Sequence, residues 1–142
     1  MNRNLKVSKS IEINSNAEEV WDALTNPEKI KIYLFGTETI TDWKIGSPIV
    51  FQGEYDGHEY KDKGNVLENI GNETLKYDYW SGFSGLEDIP ENYSVVTYEF
   101  EDLNGATHLM LTQVGFANIE SRDHSESAWE MVLDGIKEIV EA

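Results

Sequence analysis

Cysteine is missing from the 142-residue chain, which excludes a disulfide framework, a thiolate nucleophile and the cysteine-rich zinc sites. Basic residues are few: 11 Lys and Arg stand against 27 Asp and Glu, for a formal net charge of -16. A field of that sign repels phosphate backbones and anionic headgroups, so neither nucleic acid nor a membrane surface is an expected partner. The deficit is uneven. Residues 1–84 carry nine basic and 14 acidic groups, residues 85–142 only two and 13, as suits a solvated acidic surface. Long apolar runs are missing as well. From Met1-Asn2-Arg3-Asn4 the chain passes directly into alternating residues, so no signal peptide or membrane span is expected and a cytoplasmic location is. Zincin, Walker and glycine-rich nucleotide patterns are not found, and no metal or cofactor is expected.

What the chain does contain is a globular composition, 39% hydrophobic with four Trp, seven Tyr and five Phe. That supports one core, and residues 1–142 read as a single domain. Leu5, Val7, Ile11 and Ile13 alternate with polar residues as in a half-buried strand. Asn16 stands three residues before Glu19, a capping-box-like start for a short helix over about 17–25, and Asn26-Pro27 restarts a second one to about Leu34. From Trp43 onward the signals are strand and turn. Asp56-Gly57, Gly71-Asn72 and Asn104-Gly105 divide alternating segments into a three-strand meander and, beyond a loop from Gly82 to Pro90, a second hairpin. From about Asp123 to Glu141, Trp129, Val132, Leu133, Ile136, Ile139 and Val140 recur at helical spacing. The order predicts an α+β fold in which helices pack on one face of an antiparallel sheet.

The local sequence resembles a family with that order. Val20-Trp21-Asp22-Ala23-Leu24-Thr25-Asn26-Pro27-Glu28, Trp43-Lys44-Ile45-Gly46-Ser47-Pro48-Ile49, Asp56-Gly57 and Asp62-Lys63-Gly64 carry the resemblance in the first half. Leu75-Lys76-Tyr77, Pro90-Glu91-Asn92-Tyr93, Leu109-Met110-Leu111-Thr112-Gln113 and Trp129 carry it in the second. Together they are similar to a START-like (SRPBCC) domain of the type homologous to activators of the heat-shock-protein-90 ATPase. Ala128 stands where that family often has Gly. The resemblance implies a helix-grip fold, a curved six- to seven-stranded antiparallel sheet wrapped round a long C-terminal helix. It also implies a cavity between the two.

The residues expected to line that cavity are Phe51, Tyr55, Tyr77, Tyr79, Trp80, Tyr98, Leu111, Gln113, Trp129 and Val132. Tyrosine is the informative type, because a phenol on a core-facing position gives an apolar wall with a polar tip. Gln113 shares a strand face with Leu109 and Leu111, and its amide is expected either to reach a ligand or to bond neighbouring backbone. His58, His108 and His124 are scattered, and Glu54, Asp56, Glu59 and Asp62 surround one turn as a solvated acidic cluster. No catalytic residue is assigned. The expected function is binding of a hydrophobic or amphipathic small molecule by a monomer or weak dimer. The family resemblance implies two alternatives, stimulation of a chaperone partner's ATPase and polyketide cyclase or aromatase-like chemistry.

Overall fold

The computed structural model describes all 142 residues. Strand β1 (Asn2–Ile13) is followed by helices α1 (Ala17–Thr25) and α2 (Pro27–Tyr33). Then come β2 (Glu38–Ile40), β3 (Pro48–Tyr55), β4 (His58–Ile70), β5 (Thr74–Tyr79), β6 (Ser94–Asp102), β7 (Thr107–Phe116) and the 23-residue helix α3 (Ile119–Glu141). The strands form one antiparallel sheet in the order β1-β7-β6-β5-β4-β3-β2. The helices lie against its inner face. This is the helix-grip form of an α+β fold.

Local chemistry sets the element ends. The Asn16 side chain accepts a hydrogen bond from Glu19 N at 2.9 Å, and Asn26 caps α2 through Glu28 N at 3.0 Å. In the tight hairpins β3–β4 and β6–β7 both turn residues have positive φ, Asp56 with Gly57 and Asn104 with Gly105, as the twist of the flanking strands requires. Two elements differ from the sequence expectation. Helix α3 starts at Ile119, one turn before Asp123, because Asn118 accepts from Ser121 N at 2.8 Å and opens the helix there. The three-residue β2 precedes Trp43, and it is too short to show a period.

Alternation along each strand decides what faces inward. On β1 the odd positions from Leu5 to Ile13 are buried or half-buried and the even ones exposed. The core joins Ile13, Ile49, Val66, Leu75, Val96, Leu109 and Leu111 of the sheet with Val20, Leu24 and Ile30 of the short helices and Val132, Leu133 and Ile136 of α3. Two glycines permit close approaches. A side chain at Gly64 would meet the Asp78 carbonyl oxygen at 1.9 Å, and one at Gly135 would meet Tyr33 Cβ at 2.9 Å. The first lets β4 cross β5 tightly, and the second seats α3 on α2.

Candidate functional site

Toward the N-terminal half of α3 the helix and the sheet do not close on each other. An inner chamber of about 260 Å³ lies between the sheet, the Leu34–Thr37 segment after α2, and Ser125, Ala128, Trp129 and Val132 of α3. Its walls include Phe51, Tyr77, Tyr79 and Val96. An outer, more polar chamber of about 660 Å³ continues from it toward Trp80, Phe83, Asn92, Phe116 and the start of α3. Asp62, Tyr79, Gln113 and Ser125 line both chambers and so stand at the junction.

Strand periodicity delivers these side chains. Phe51 on β3 lies opposite Asp62 on β4, and Tyr79 on β5 opposite Ser94 on β6, while Gln113 on β7 sits between Val7 and Val96. The Phe51 ring packs on Tyr77 and Tyr79 with centroids 5.8 Å away in each case, and Trp129 meets Tyr98 edge-on at 5.9 Å. Gly53 faces Tyr60 across the β3–β4 ladder, and the Tyr60 ring lies over the glycine where a Cβ would otherwise stand. Its hydroxyl thereby reaches Thr37 Oγ1 at 2.5 Å and ties β4 to the segment after α2. Phe35 in that segment has φ 56° and is 67% exposed at the rim.

The polar groups are ordered by a chain of hydrogen bonds. Trp129 Nε1 donates to Gln113 Oε1 at 2.7 Å, Gln113 Nε2 to Ser94 Oγ at 2.9 Å, and Ser94 Oγ to the Tyr79 carbonyl at 3.4 Å. An indole N–H only donates, so it fixes which end of the Gln113 amide faces the helix. Tyr79 Oη donates to Asp62 Oδ2 at 2.6 Å. Burial pushes the Tyr79 phenol well above its usual range, and the Asp62 charge and hydrogen bond add to the shift. Burial likewise raises Tyr77 and Tyr98. These phenols are therefore neutral donors rather than phenolate bases.

Of the ten residues expected at the cavity, the inner chamber brings together Phe51, Tyr77, Tyr79, Gln113, Trp129 and Val132. Trp80 belongs to the outer chamber, where its Nε1 donates to the Leu86 carbonyl at 3.2 Å. Tyr98 lies behind Trp129, and Leu111 is wholly enclosed in the core. Tyr55 requires a correction. It has the parity of Phe51, but the β3–β4 hairpin projects past the helices and leaves Tyr55 75% exposed. The amide alternatives for Gln113 resolve into neither form alone, since its partners are two side chains.

Asp62 also departs from the sequence expectation. Glu54, Asp56 and Glu59 are exposed around the turn, whereas Asp62 is 7% exposed and faces the cavity. Its alternation with Gly64 and Val66 is the signal that distinguishes it from the other three. Leu34 is signalled by its helical spacing from Ile30 and caps α2, whereas Phe35 and Thr37 give no such signal, because they belong to a connection without a period.

The fold and its cavity together make this an α+β helix-grip domain with two chambers under the long helix. The sequence matches the family described as activator of Hsp90 ATPase homolog 1-like protein over residues 14–141, and the chain belongs to that family. ChR145 from Cytophaga hutchinsonii, known from a solution structure, is 40% identical, with 99% of this chain and 97% of that one covered at a TM-score of 0.84. The Aha1 dimer from Colwellia psychrerythraea is 17% identical, with 96% of each chain covered and a TM-score of 0.75. DynU16, a putative protein in the dynemicin biosynthetic locus, is 14% identical at a TM-score of 0.80, with 97% of this chain and 48% of that one covered. The last two likenesses concern the fold alone. No curated protein matches the chain. No helix is long and apolar enough to cross a membrane.

Proposed function

We propose that this protein binds a hydrophobic or amphipathic small molecule between the sheet and α3, with the apolar part of the ligand in the inner chamber. The observation that carries the reading is the composition of that chamber, ten hydrophobic residues among fourteen with a few fixed polar tips. Ligand sites typically have that composition, at volumes of about 300–1,000 Å³. The inner chamber is near the lower bound, and the outer one offers room for a polar extension. The 142 residues act as one START-like unit, a monomer or weak dimer working in the cytoplasm. The proposed ligand-contacting residues are Phe51, Tyr77, Tyr79, Gln113, Trp129 and Val132, with Trp80 at the outer end.

Nile red, a neutral solvatochromic dye, tests the reading. It is expected to bind one per chain with micromolar affinity, because association and ordering costs cancel most of what apolar burial contributes. Ala128→Trp, which places an indole in the inner chamber, should abolish binding while leaving the far-ultraviolet circular dichroism unchanged. Dye binding that survives in the folded Ala128→Trp protein would overturn the reading. Acceleration of a chaperone's ATP hydrolysis without any dye binding would favour the activity in the family's name instead.

A further inference from the structure

Asp62 has a placement that packing alone does not account for. It is 7% exposed and stands where the two chambers meet. Its only side-chain hydrogen bond comes from Tyr79, at Oδ2. A carboxylate has about four acceptor positions, so Asp62 keeps most of its capacity, Oδ1 above all, for something in the cavity. No lysine or arginine lines either chamber. Lys61 and Lys63 adjoin Asp62 in sequence, but strand alternation turns both to the outer face, where Lys63 pairs with Asp88. Oδ1 is not sealed in the core but opens to the chamber, so it is free to accept from a donor that enters there.

Resting on the binding proposed for this cavity, we infer that the ligand carries a protonated amine on an apolar or aromatic body, and that Asp62 receives the ammonium at the chamber junction. The surroundings fit a cation. Tyr79 and Phe51 present aromatic rings beside the junction, and the Tyr60 ring of the inner chamber lies 6.3 Å from the Phe83 ring of the outer one, the kind of surface that attracts ammonium groups. The remaining ionisable side chains in the outer chamber are Glu120 and His124. A chain with a net charge of -16 also draws cations toward its surface. An anionic ligand such as a fatty acid would place its carboxylate against Asp62.

Three probes with one naphthyl body separate the cases: 2-(naphthalen-2-yl)ethylamine, 2-(naphthalen-2-yl)ethanol and naphthalene-2-acetate, titrated calorimetrically at about pH 7. A salt concentration of about 0.3 M screens the long-range field while sparing a buried contact. The amine should bind at least about tenfold more tightly than the alcohol, as a charge-assisted hydrogen bond provides, and the acetate should bind most weakly. Asp62→Asn should reduce the amine to the affinity of the alcohol, whereas Glu59→Gln on the exposed hairpin should change nothing. Ser125→Lys, on the helix side of the junction, supplies a competing cation and should reverse the order in favour of the acetate. It remains informative if Asp62→Asn does not fold. Equal binding of all three probes to the wild-type protein, or an amine preference that persists in Asp62→Asn or Ser125→Lys, would overturn the assignment and leave the binding of apolar molecules standing. Failure of Nile red and of every naphthyl probe would remove both.

Discussion

Four tyrosines, Tyr33, Tyr77, Tyr79 and Tyr98, sit where water does not reach their phenols freely, and burial raises each above the ordinary value of 10.0. Below that value both the folded and the unfolded chain hold these protons, and the four groups add no pH dependence. Above it the unfolded chain ionises first, so stability falls as pH rises. Urea unfolding between about pH 10 and 11 should show this loss, at most about 1.4 kcal/mol per pH unit for each tyrosine. Tyr98→Phe should make the slope shallower by one such increment, and an unaltered slope would mean that Tyr98 ionises as readily in the folded protein. Trp129 is a second residue whose polar tip matters. Trp129→Phe leaves Gln113 Oε1 without its 2.7 Å donor, and an acceptor orphaned in this way costs about 1–3 kcal/mol. Thermal denaturation should place this variant well below Trp80→Phe, whose lost partner is a loop carbonyl at the half-exposed rim.

Helix α3 is where two effects on a single element compete. Glycine within a helix is ordinarily about 1 kcal/mol worse than alanine, so Gly135→Ala on an isolated helix would be stabilising. Here a Cβ would stand 2.9 Å from Tyr33 Cβ, an atom fixed next to the α2 backbone. Tyr33 is itself held by its hydroxyl donating to the Ala23 carbonyl at 2.9 Å. The clash outweighs propensity, and Gly135→Ala should lower stability by about 1–3 kcal/mol, the usual cost of overpacking. A higher melting temperature for this variant would show that α3 and α2 separate easily. Most elements are legible in the sequence because their causes are local: the Asn16 and Asn26 caps, the Asp56-Gly57 and Asn104-Gly105 turns, and the helical stripe through Val132, Leu133 and Ile136. Strand β2 is not legible in this way, since three residues paired only to β3 have no period of their own.

Across the whole molecule the charge imbalance is the largest electrostatic fact. The six ion pairs made by lysine and arginine involve side chains that are all at least a quarter exposed, and pairs of that kind contribute little. Repulsion among 27 acidic groups therefore dominates. Raising sodium chloride from about 10 to 200 mM shortens the screening length from about 30 Å to less than 10 Å, and it should raise the melting temperature. A decrease over that range would show that the ion pairs outweigh the repulsion.

Fold class, the order of the longer elements and the inward face of most long strands follow from the sequence alone, because caps, turns and alternation act over a few residues. Hence alternation and helical spacing are enough to assign Phe51, Tyr77, Gln113 and Trp129 to one interior. Where the covered part of the sheet ends is settled by tertiary packing instead. Tyr55 and Phe51 share a parity, yet the helices shield Phe51 and leave the hairpin that carries Tyr55 uncovered. The same holds for Asp62, which its acidic neighbours Glu54, Asp56 and Glu59 make look solvated and which the packing of α3 and of the segment after α2 encloses. Periodicity gives the direction in which a side chain points, and burial depends on what lies opposite it, which for Asp62 includes α3 residues far away along the chain.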